Sequence, residues 1–253
     1  MLIKPEIVLP GSVYLPLRLM VNKLRGRTEA DVEFLSKVVR PGSTVVDVGA
    51  HKGLYSIPLY KMGCTVYCFE PNAHCASLIE SWALGKNRVY VFRAGLSDES
   101  GKALLQIPVD ETGQKHIASA SVCKEFEGEF VTEEITLNRL DEYELKDLSF
   151  IKIDVEGLED KVIRGGIGMI RKFLPAMLIE IEERHRSTPV SVVFDMLYLM
   201  GYRAFQRTQS GFQEVLPHDI ADWSKLQARG VSKNFWFIHG KADTTLMTHT
   251  YAS

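Results

Sequence analysis

No apolar stretch in the 253-residue sequence approaches the roughly 20 consecutive residues that a membrane-spanning helix requires. The most apolar part of the N-terminus, IVLPGSVYLPLRLM, is interrupted by Pro10, Gly11 and Pro16, so it lacks the unbroken core of a signal peptide. An excess of one charge is also missing, because 30 Lys and Arg residues nearly balance 32 Asp and Glu residues. The overall charge therefore gives no reason to expect nucleic acid or an anionic membrane as a partner.

Cysteine is scarce as well. The four cysteines are Cys64, Cys68, Cys75 and Cys123, and they form no CxxC pair. This spacing argues against a zinc ribbon and against a disulfide scaffold. Reduced thiols are typical of cytosolic proteins, so the sequence predicts a soluble cytoplasmic protein without a membrane span.

Strands and helices alternate over residues 28–240. Buried strands are predicted at STVVDVG, TVYCFEP, RVYVFRAGLS, LSFIKIDVEG and PAMLIEIEE. Two final strands are predicted at YRAFQRT and KNFWFIHG, joined by a long loop. This alternation predicts an α/β fold with a mostly parallel sheet covered on both faces. Short alternating runs at about 101–140 predict an inserted antiparallel excursion. Residues 1–27 are expected to form an N-terminal extension or lid, and residues 241–253 a C-terminal tail.

The first strand runs into DVGAHKG, where a dinucleotide-binding fold would carry G-x-G-x-x-G. Backbone amides of that motif hold a pyrophosphate at a helix N-terminus. Here Asp47 replaces the first glycine, and a carboxylate would repel a diphosphate but suit a cationic ligand. Gly49 and Gly53 still permit a sharp turn and a close approach to the ligand. The loop therefore favours S-adenosylmethionine, which carries a sulfonium, an ammonium, a ribose and an adenine.

The second and third strands also end in polar residues. Glu70, in YCFEP, follows Asp47 at about the spacing of roughly 20 residues at which dinucleotide folds place their ribose-binding acid. Leu96, Ser97 and Asp98, after the third strand, are expected beside the adenine. The predicted cofactor-binding residues are Asp47, Gly49, Ala50, His51, Gly53, Tyr55, Glu70, Pro71, Asn72, Leu96, Ser97, Asp98 and Asp154.

Each of these residues also has a purely structural interpretation. Asp47 could cap a helix, Gly49 and Gly53 could serve only the turn, and Glu70 could be a solvated strand end. Their occurrence in register on consecutive strands is what favours a cofactor site over those alternatives.

Three blocks of the sequence resemble a known family. VVDVGAHKGLYS resembles the glycine loop, FEPN the ribose-binding strand end, and LSFIKIDVEGLEDKVIRGG with AMLIEIEE the fourth- and fifth-strand blocks of FkbM methyltransferases, a family of class I S-adenosylmethionine-dependent methyltransferases. The resemblance runs from about Thr28 to about Gly240. It implies a Rossmann-like class I methyltransferase fold, with a seven-stranded mostly parallel sheet, an antiparallel last strand and a small β insertion. It also implies methyl transfer to a hydroxyl, often of a sugar or a polyketide-type product.

The fourth strand supplies the candidate catalytic acids. A hydroxyl becomes a good nucleophile when a base removes its proton. Asp154 and Glu156 stand at and just beyond the end of IKIDVEG, and residues two apart on a strand face the same side. Asp154 is the first candidate for the base or acceptor-positioning group, and Glu156 is a second acid facing the acceptor. Glu156 could instead cap the following helix.

The loop after the fifth strand, EIEERHRS, adds His185 as another candidate base. A solvated loop histidine is the plain alternative. An oxygen-rich set of Asp154, Glu156 and Glu182 with His185 would suit Mg²⁺, but the spacing does not require a metal, and no metal ligands are assigned.

Other functions are weighed against a small-molecule O-methyltransferase with a hydroxylated acceptor. An NAD-binding oxidoreductase is disfavoured by Asp47, and a nucleic-acid methyltransferase by the near-neutral charge and the absence of an N/D-P-P-Y/F motif. A non-catalytic protein that only binds S-adenosylmethionine remains open. So does a homodimer in which the N-terminal extension covers a neighbouring subunit.

Overall fold

The computed structural model describes residues 9–25, 30–110, 120, 122, 129–183, 186–241 and 247. Its strands are β1 Thr44–Val48, β2 Thr65–Phe69, β3 Val89–Phe92, β4 Ala94–Leu96, β5 Gly101–Pro108, β6 Phe130–Asn138, β7 Leu148–Ile153, β8 Ala176–Glu180, β9 Tyr202–Thr208, β10 Gly211–Val215 and β11 Gly230–His239. Its helices are α1 Gly11–Leu24, α2 Ala30–Val38, α3 Ser56–Lys61, α4 Ala73–Ala83, α5 Glu159–Gly165, α6 Ile167–Phe173, α7 Ser191–Leu199, α8 Pro217–Ile220 and α9 Trp223–Arg229. Of these helices, none combines the length and apolar character needed to cross a membrane.

The central sheet has eight strands in the order β10-β9-β11-β8-β7-β1-β2-β3. The five strands from β8 to β3 are mutually parallel, and β11 runs antiparallel to both β8 and β9. The predicted Rossmann-like class, with a mostly parallel sheet and an antiparallel last strand, is confirmed. The chain leaves β1 outward to β3 and then returns to β7 on the other side of β1. Ligands bind at such a reversal, beyond the carboxyl ends of the strands.

Two details differ from the predicted strands. The sheet has an eighth strand because the chain turns back after β9 and forms the edge strand β10, in a stretch predicted as a loop. The predicted third strand is divided at Arg93, where β3 stays in the central sheet and β4 joins a small second sheet. The side chain of Arg93 is held by Glu80 of α4, with Nε 2.7 Å from Oε1.

The predicted insertion forms this small sheet, whose order is β4-β6-β5. Strands β5 and β6 pair antiparallel along their length, as expected for an antiparallel excursion, while β4 pairs with β6 in parallel. Leu105, Ile107 and Ile135 are buried on its inner face. The small sheet therefore has an apolar core of its own beside the central sheet.

The N-terminal helix α1 packs against α4. Leu15 is fully buried, and a methyl group placed on Gly11 would lie 2.0 Å from the carbonyl oxygen of Leu78. Only glycine allows this contact. A lid role for residues 1–27 stays a prediction. Near the other end of the chain, Met247 is buried in the core cluster that also contains Leu15.

The glycine loop after β1 touches the end of β7. Gly49 has a φ of 77°, and a methyl group on its Cα would lie 1.8 Å from the carbonyl oxygen of Asp154. The amide of Asp154 in turn donates to the carbonyl of Val48 over 3.0 Å. The two neighbouring strand ends are therefore in backbone contact at this point, and no side chain fits between them.

We expect Gly49→Ala to destabilise the protein more than Gly42→Ala. Both glycines have a similar positive φ, 77° and 79°, but a methyl group on Gly42 meets no atom within 4 Å. The backbone strain of about 1–2 kcal/mol is common to both variants. Gly49→Ala adds a steric clash of about 1–3 kcal/mol. Urea unfolding measures both free energies, and equal losses would contradict the close contact.

Candidate active site

A cavity of about 280 Å³ opens at the carboxyl ends of the central strands. It is lined by residues at or just beyond the ends of β1, β2, β7 and β8 and by residues of the small sheet and of the insertion. The lining residues are Val48, Gly49, His51, Glu70, Pro71, Asn72, Gly95, Leu96, Leu105, Ala120, Val122, Ile135, Leu137, Asp154, Val155, Glu156, Leu158 and Glu180. The cavity thus coincides with the reversal of strand order that was expected to bind a ligand.

Glu70 is held by the backbone of the loops around it. One carboxylate oxygen accepts from the amide of His51 over 2.7 Å, and the other accepts from the amide of Asn72 over 2.8 Å. Burial raises the pKa of Glu70 to about 7, although these two hydrogen bonds oppose the shift. Each oxygen keeps a second lone pair for a ligand hydroxyl. The backbone amide of His51, a residue predicted to bind the cofactor, is thus bonded to Glu70.

Asp47 lies behind the cavity wall. Its carboxylate accepts a hydrogen bond of 2.5 Å from the hydroxyl of Ser56, which itself accepts from the thiol of Cys68. Burial raises the pKa of Asp47 to about 6, against the opposing effect of Ser56. Asp47 was expected to face a cationic ligand, but its side chain does not line the cavity. It accepts a hydrogen bond from the first residue of α3 instead.

Lys152 is buried beneath the acidic end of the cavity, with 1% of its side chain exposed. Its ammonium donates to Oδ1 of Asn234 over 2.8 Å and lies 3.8 Å from Oδ2 of Asp154. It also lies 5.1 Å from the ring centre of Tyr55. Tyr55, predicted to bind the cofactor, is therefore packed against Lys152. A lysine within the apolar run FIKI was the available signal for this residue, and the sequence analysis missed it.

Three carboxylates line the cavity above Lys152: Asp154, Glu156 and Glu180. The side chain of Asp154 is 35% exposed, so solvent or a ligand can reach it. Burial, followed by the charge of Asp154, raises the pKa of Glu180 to about 8, whereas Lys152 opposes the shift. Glu180 is not among the residues predicted from the sequence, and its place in the cavity was missed.

Asp154 and Glu156 both line the cavity, but not because they alternate along a strand, as the sequence predicted. Strand β7 ends at Ile153, before both residues, and Glu156 has a positive φ of 53°. Strand alternation therefore does not apply to them. The alternative that Glu156 caps the next helix is wrong, because Leu158 occupies the N-cap of α5. The left-handed backbone turns the chain into the helix while Glu156 stays at the cavity.

The acids beyond the cavity are paired with cations. Arg186 is buried and bonds both Glu159 and Asp160 of α5, while Glu182 forms an ion pair with Lys233. His185 lies outside the described residues, so its predicted role stays a prediction. Within the described residues, no group of three or more His, Cys, Asp or Glu side chains is arranged to hold a metal ion.

The remaining predicted residues divide into two groups. Pro71, Asn72 and Leu96 line the cavity with Gly49, His51 and Glu70. The remaining predicted residues that do not line it are Ala50, Gly53, Tyr55, Ser97 and Asp98.

The apolar part of the lining was also missed. Leu105, Ile135 and Leu137 come from β5 and β6 of the insertion. Their contact with the cavity depends on how the small sheet folds over the central one. No local pattern in the sequence reports that arrangement.

The strand order, the glycine loop and the acid after β2 together define a class I S-adenosylmethionine-dependent methyltransferase. Residues 47–209, more than half of the chain, match the model of the methyltransferase FkbM domain. The chain therefore belongs to the FkbM methyltransferase family. No match was found among curated proteins.

Several solved methyltransferase structures are similar in outline. Methyltransferase FkbM from Methylobacillus flagellatus KT is 15% identical with a TM-score of 0.47, and the match covers 90% of this chain but 54% of that one. Precorrin-6y C5,15-methyltransferase from Geobacter metallireducens is 10% identical with a TM-score of 0.40, over 81% and 83% of the two chains. A SAM-dependent methyltransferase from Aquifex aeolicus is 16% identical with a TM-score of 0.37, over 74% and 91%. The chain thus spans about half the length of the Methylobacillus protein.

We expect Glu180→Gln to stabilise the protein without ligand near pH 8. The unfolded carboxyl ionises near the ordinary value of 4.5, while the folded one keeps its proton up to about 8. Stability is therefore lost as the pH rises between these values. Each unit of difference corresponds to about 1.4 kcal/mol, and we expect a gain of at least about 1 kcal/mol at pH 8.

The change in the free energy of unfolding between pH 7 and 8 distinguishes the effect of Glu180 from that of the other buried acids. Glu70 has a pKa of about 7, so between pH 7 and 8 the decline should come mainly from Glu180. Urea unfolding at both pH values should give a smaller decline for Glu180→Gln. The matched control is Glu99→Gln, an exposed acid, whose decline should equal that of the wild type. An unchanged slope in Glu180→Gln would contradict the proton assignment.

Proposed function

We propose that the protein is an S-adenosylmethionine-dependent O-methyltransferase that acts on a hydroxyl of a small molecule. The proposal rests on one observation: residues suited to a methyl donor and a residue suited to an acceptor line the same cavity. The former are the glycine loop and Glu70, and the latter is Asp154 with its exposed carboxylate. The first suits a nucleoside-bearing methyl donor, and the second suits a hydroxyl that must lose a proton.

The residues present fit the cofactor. Glu70 has lone pairs for the two ribose hydroxyls, and Gly49 removes side-chain bulk where the cofactor would pass the end of β1. The cavity contains Glu70, Asp154, Glu156 and Glu180, so it favours a ligand with positive charge. Bound here, S-adenosylmethionine would supply an electrophilic methyl group and leave as a neutral thioether.

Asp154 is the proposed base for the acceptor hydroxyl. The oxygen–hydrogen bond of the acceptor breaks as the oxygen–methyl bond forms, and the proton passes to the Asp154 carboxylate. The ammonium of Lys152 lies 3.8 Å from Oδ2 of Asp154 and forms an ion pair with that carboxylate. With its raised pKa, Glu180 keeps a proton at neutral pH and can donate a hydrogen bond to the acceptor. Glu156 is proposed to position the acceptor, and His185 is the second candidate for the base.

The apolar side of the cavity narrows the acceptor class. Leu105, Ile135 and Leu137 form a wall without hydrogen-bonding side chains. A free sugar would leave hydroxyls unpaired against such a wall, at a cost in binding. Of the sugar and secondary-metabolite acceptors that the family suggests, the wall favours a secondary metabolite with an apolar surface.

We expect S-adenosylmethionine to gain affinity over S-adenosylhomocysteine as the pH rises. The two ligands differ by one methyl group and the positive charge on sulfur. Raising the pH from about 6 to about 8 ionises Asp47, Glu70 and Glu180 in turn, and each new carboxylate attracts the sulfonium. Calorimetric titration with both ligands at the two pH values measures the affinity ratio. A ratio that is constant or falls would contradict the proposed acidic environment of the methyl donor.

Two substitutions should separate cofactor binding from turnover. Glu70→Gln places an amide nitrogen against the backbone amides of His51 and Asn72, and we expect a loss of at least about 10-fold in S-adenosylhomocysteine affinity, or about 1.4 kcal/mol. Asp154→Asn should keep that affinity and lower kcat by about 100-fold or more, because removal of the proton is lost. Titration and methyl-transfer assays on a panel of hydroxylated metabolites measure the two effects.

Glu99→Gln serves as the matched control, because it removes an exposed carboxylate, and it should change neither quantity. Full turnover in Asp154→Asn would overturn the assignment of the base. Binding of S-adenosylhomocysteine without methyl transfer to any acceptor would favour the alternative of a non-catalytic cofactor-binding protein. Binding of NAD in preference would favour an oxidoreductase.

A further inference from the structure

Helix α1 carries an apolar stripe on its solvent face. Val13, Leu17, Met20 and Leu24 are 49%, 43%, 55% and 78% exposed. Their spacing of four, three and four residues places them on one side of the helix. The opposite side contains Leu15, which is fully buried. We call the four exposed residues the α1 stripe.

The charged residues of α1 and its C-cap are all positive. Residues 9–25 contain Arg18, Lys23 and Arg25 and no Asp or Glu. At about 100° per residue, Lys23 lies on one flank of the stripe and Arg25 on the other. Lys23 and Arg25 are both exposed. An apolar face with cationic flanks is the arrangement of helices that lie in the interface of an anionic membrane.

We propose that the α1 stripe docks this protein onto an anionic lipid surface. The four apolar side chains would enter the boundary between headgroups and acyl chains, and Lys23 and Arg25 would contact the lipid phosphates or carboxylates. The helix has 14 residues, and none of the described helices can cross a membrane. The proposed association is therefore peripheral, parallel to the surface, and independent of the methyl-transfer proposal.

The charge pattern favours lipid over a second copy of α1. If two α1 helices packed through their stripes, the cationic flanks of both would meet. The described part of the helix has no acid that could pair with them. Like charges at close range are unfavourable. Anionic headgroups, by contrast, match all three cations of residues 9–25.

The docked helix would also set the position of the active site. Leu15 lies in contact with the glycine loop, since its Cδ1 atom is 3.9 Å from a methyl group placed on Gly53. The buried side of α1 thus packs beneath the cofactor loop while its other side carries the stripe. An attachment through α1 would hold the cavity at a constant distance from the lipid surface.

Sedimentation with lipid vesicles tests the proposal on the full chain. We expect the wild type to sediment with vesicles of phosphatidylcholine and phosphatidylserine, but weakly with phosphatidylcholine alone, and to be released by salt. The double variant Leu17→Glu with Met20→Glu should lose binding to the mixed vesicles. Leu199→Glu is the matched control, since Leu199 on α7 is 89% exposed and lies outside the stripe. Its binding should equal that of the wild type.

A second double variant tests the cations. Lys23→Gln with Arg25→Gln should weaken binding to the mixed vesicles by roughly 30-fold and reduce its dependence on salt. Unchanged melting temperatures would show that all these surface variants fold. Failure of the wild type to bind mixed vesicles, or unchanged binding of the Leu17 and Met20 variant, would overturn the proposal. So would a wild-type dimer that this variant converts to a monomer in light scattering, because a second copy would then occupy the stripe.

Discussion

The buried ammonium of Lys152 connects the body of the protein to its acidic cavity. It is bonded to Asn234 of β11, whose amide nitrogen lies 3.3 Å from Oδ2 of Asp31, and the indole of Trp236 donates to the other oxygen of Asp31 over 2.8 Å. Asp31 belongs to α2, so one polar chain joins an N-terminal helix, the last strand and β7. A buried charge is costly unless it is paired and hydrogen-bonded. This chain supplies the hydrogen bonds, and the carboxylates above it supply the opposite charge.

The buried acids in and behind the cavity carry more negative charge than Lys152 can neutralise. Burial raises the pKa of Asp47, Glu70 and Glu180 to about 6, 7 and 8. These buried acids therefore lower the stability of the protein at neutral and alkaline pH, and a bound cationic ligand would recover part of that stability. Strain of this kind is common where a site is built for its ligand rather than for the stability of the free protein.

Much of the fold could be predicted, because the alternation of strands and helices is a local property of the chain. The residues at the ends of strands, such as Gly49, Glu70 and Asp154, could be predicted for the same reason. The direction of Asp47 and the burial of Lys152 could not, because both depend on neighbouring strands that are distant in sequence. The edge strand β10 was taken for a loop because it is short and close to β9. The apolar wall of the cavity needs the tertiary position of the insertion, which no periodicity reveals.

The small sheet has a consequence for how this protein can change over evolution. Its strands β4, β5 and β6 pair with one another, whereas the glycine loop and the proposed catalytic acid Asp154 follow strands of the central sheet. Substitutions of Leu105, Ile135 or Leu137 would reshape the apolar wall without disturbing β2 and β7, the central strands that Glu70 and Asp154 directly follow. If the proposed function holds, descendants of one ancestor could therefore acquire different acceptors by changing the insertion alone, while the residues that follow the central strands stayed the same.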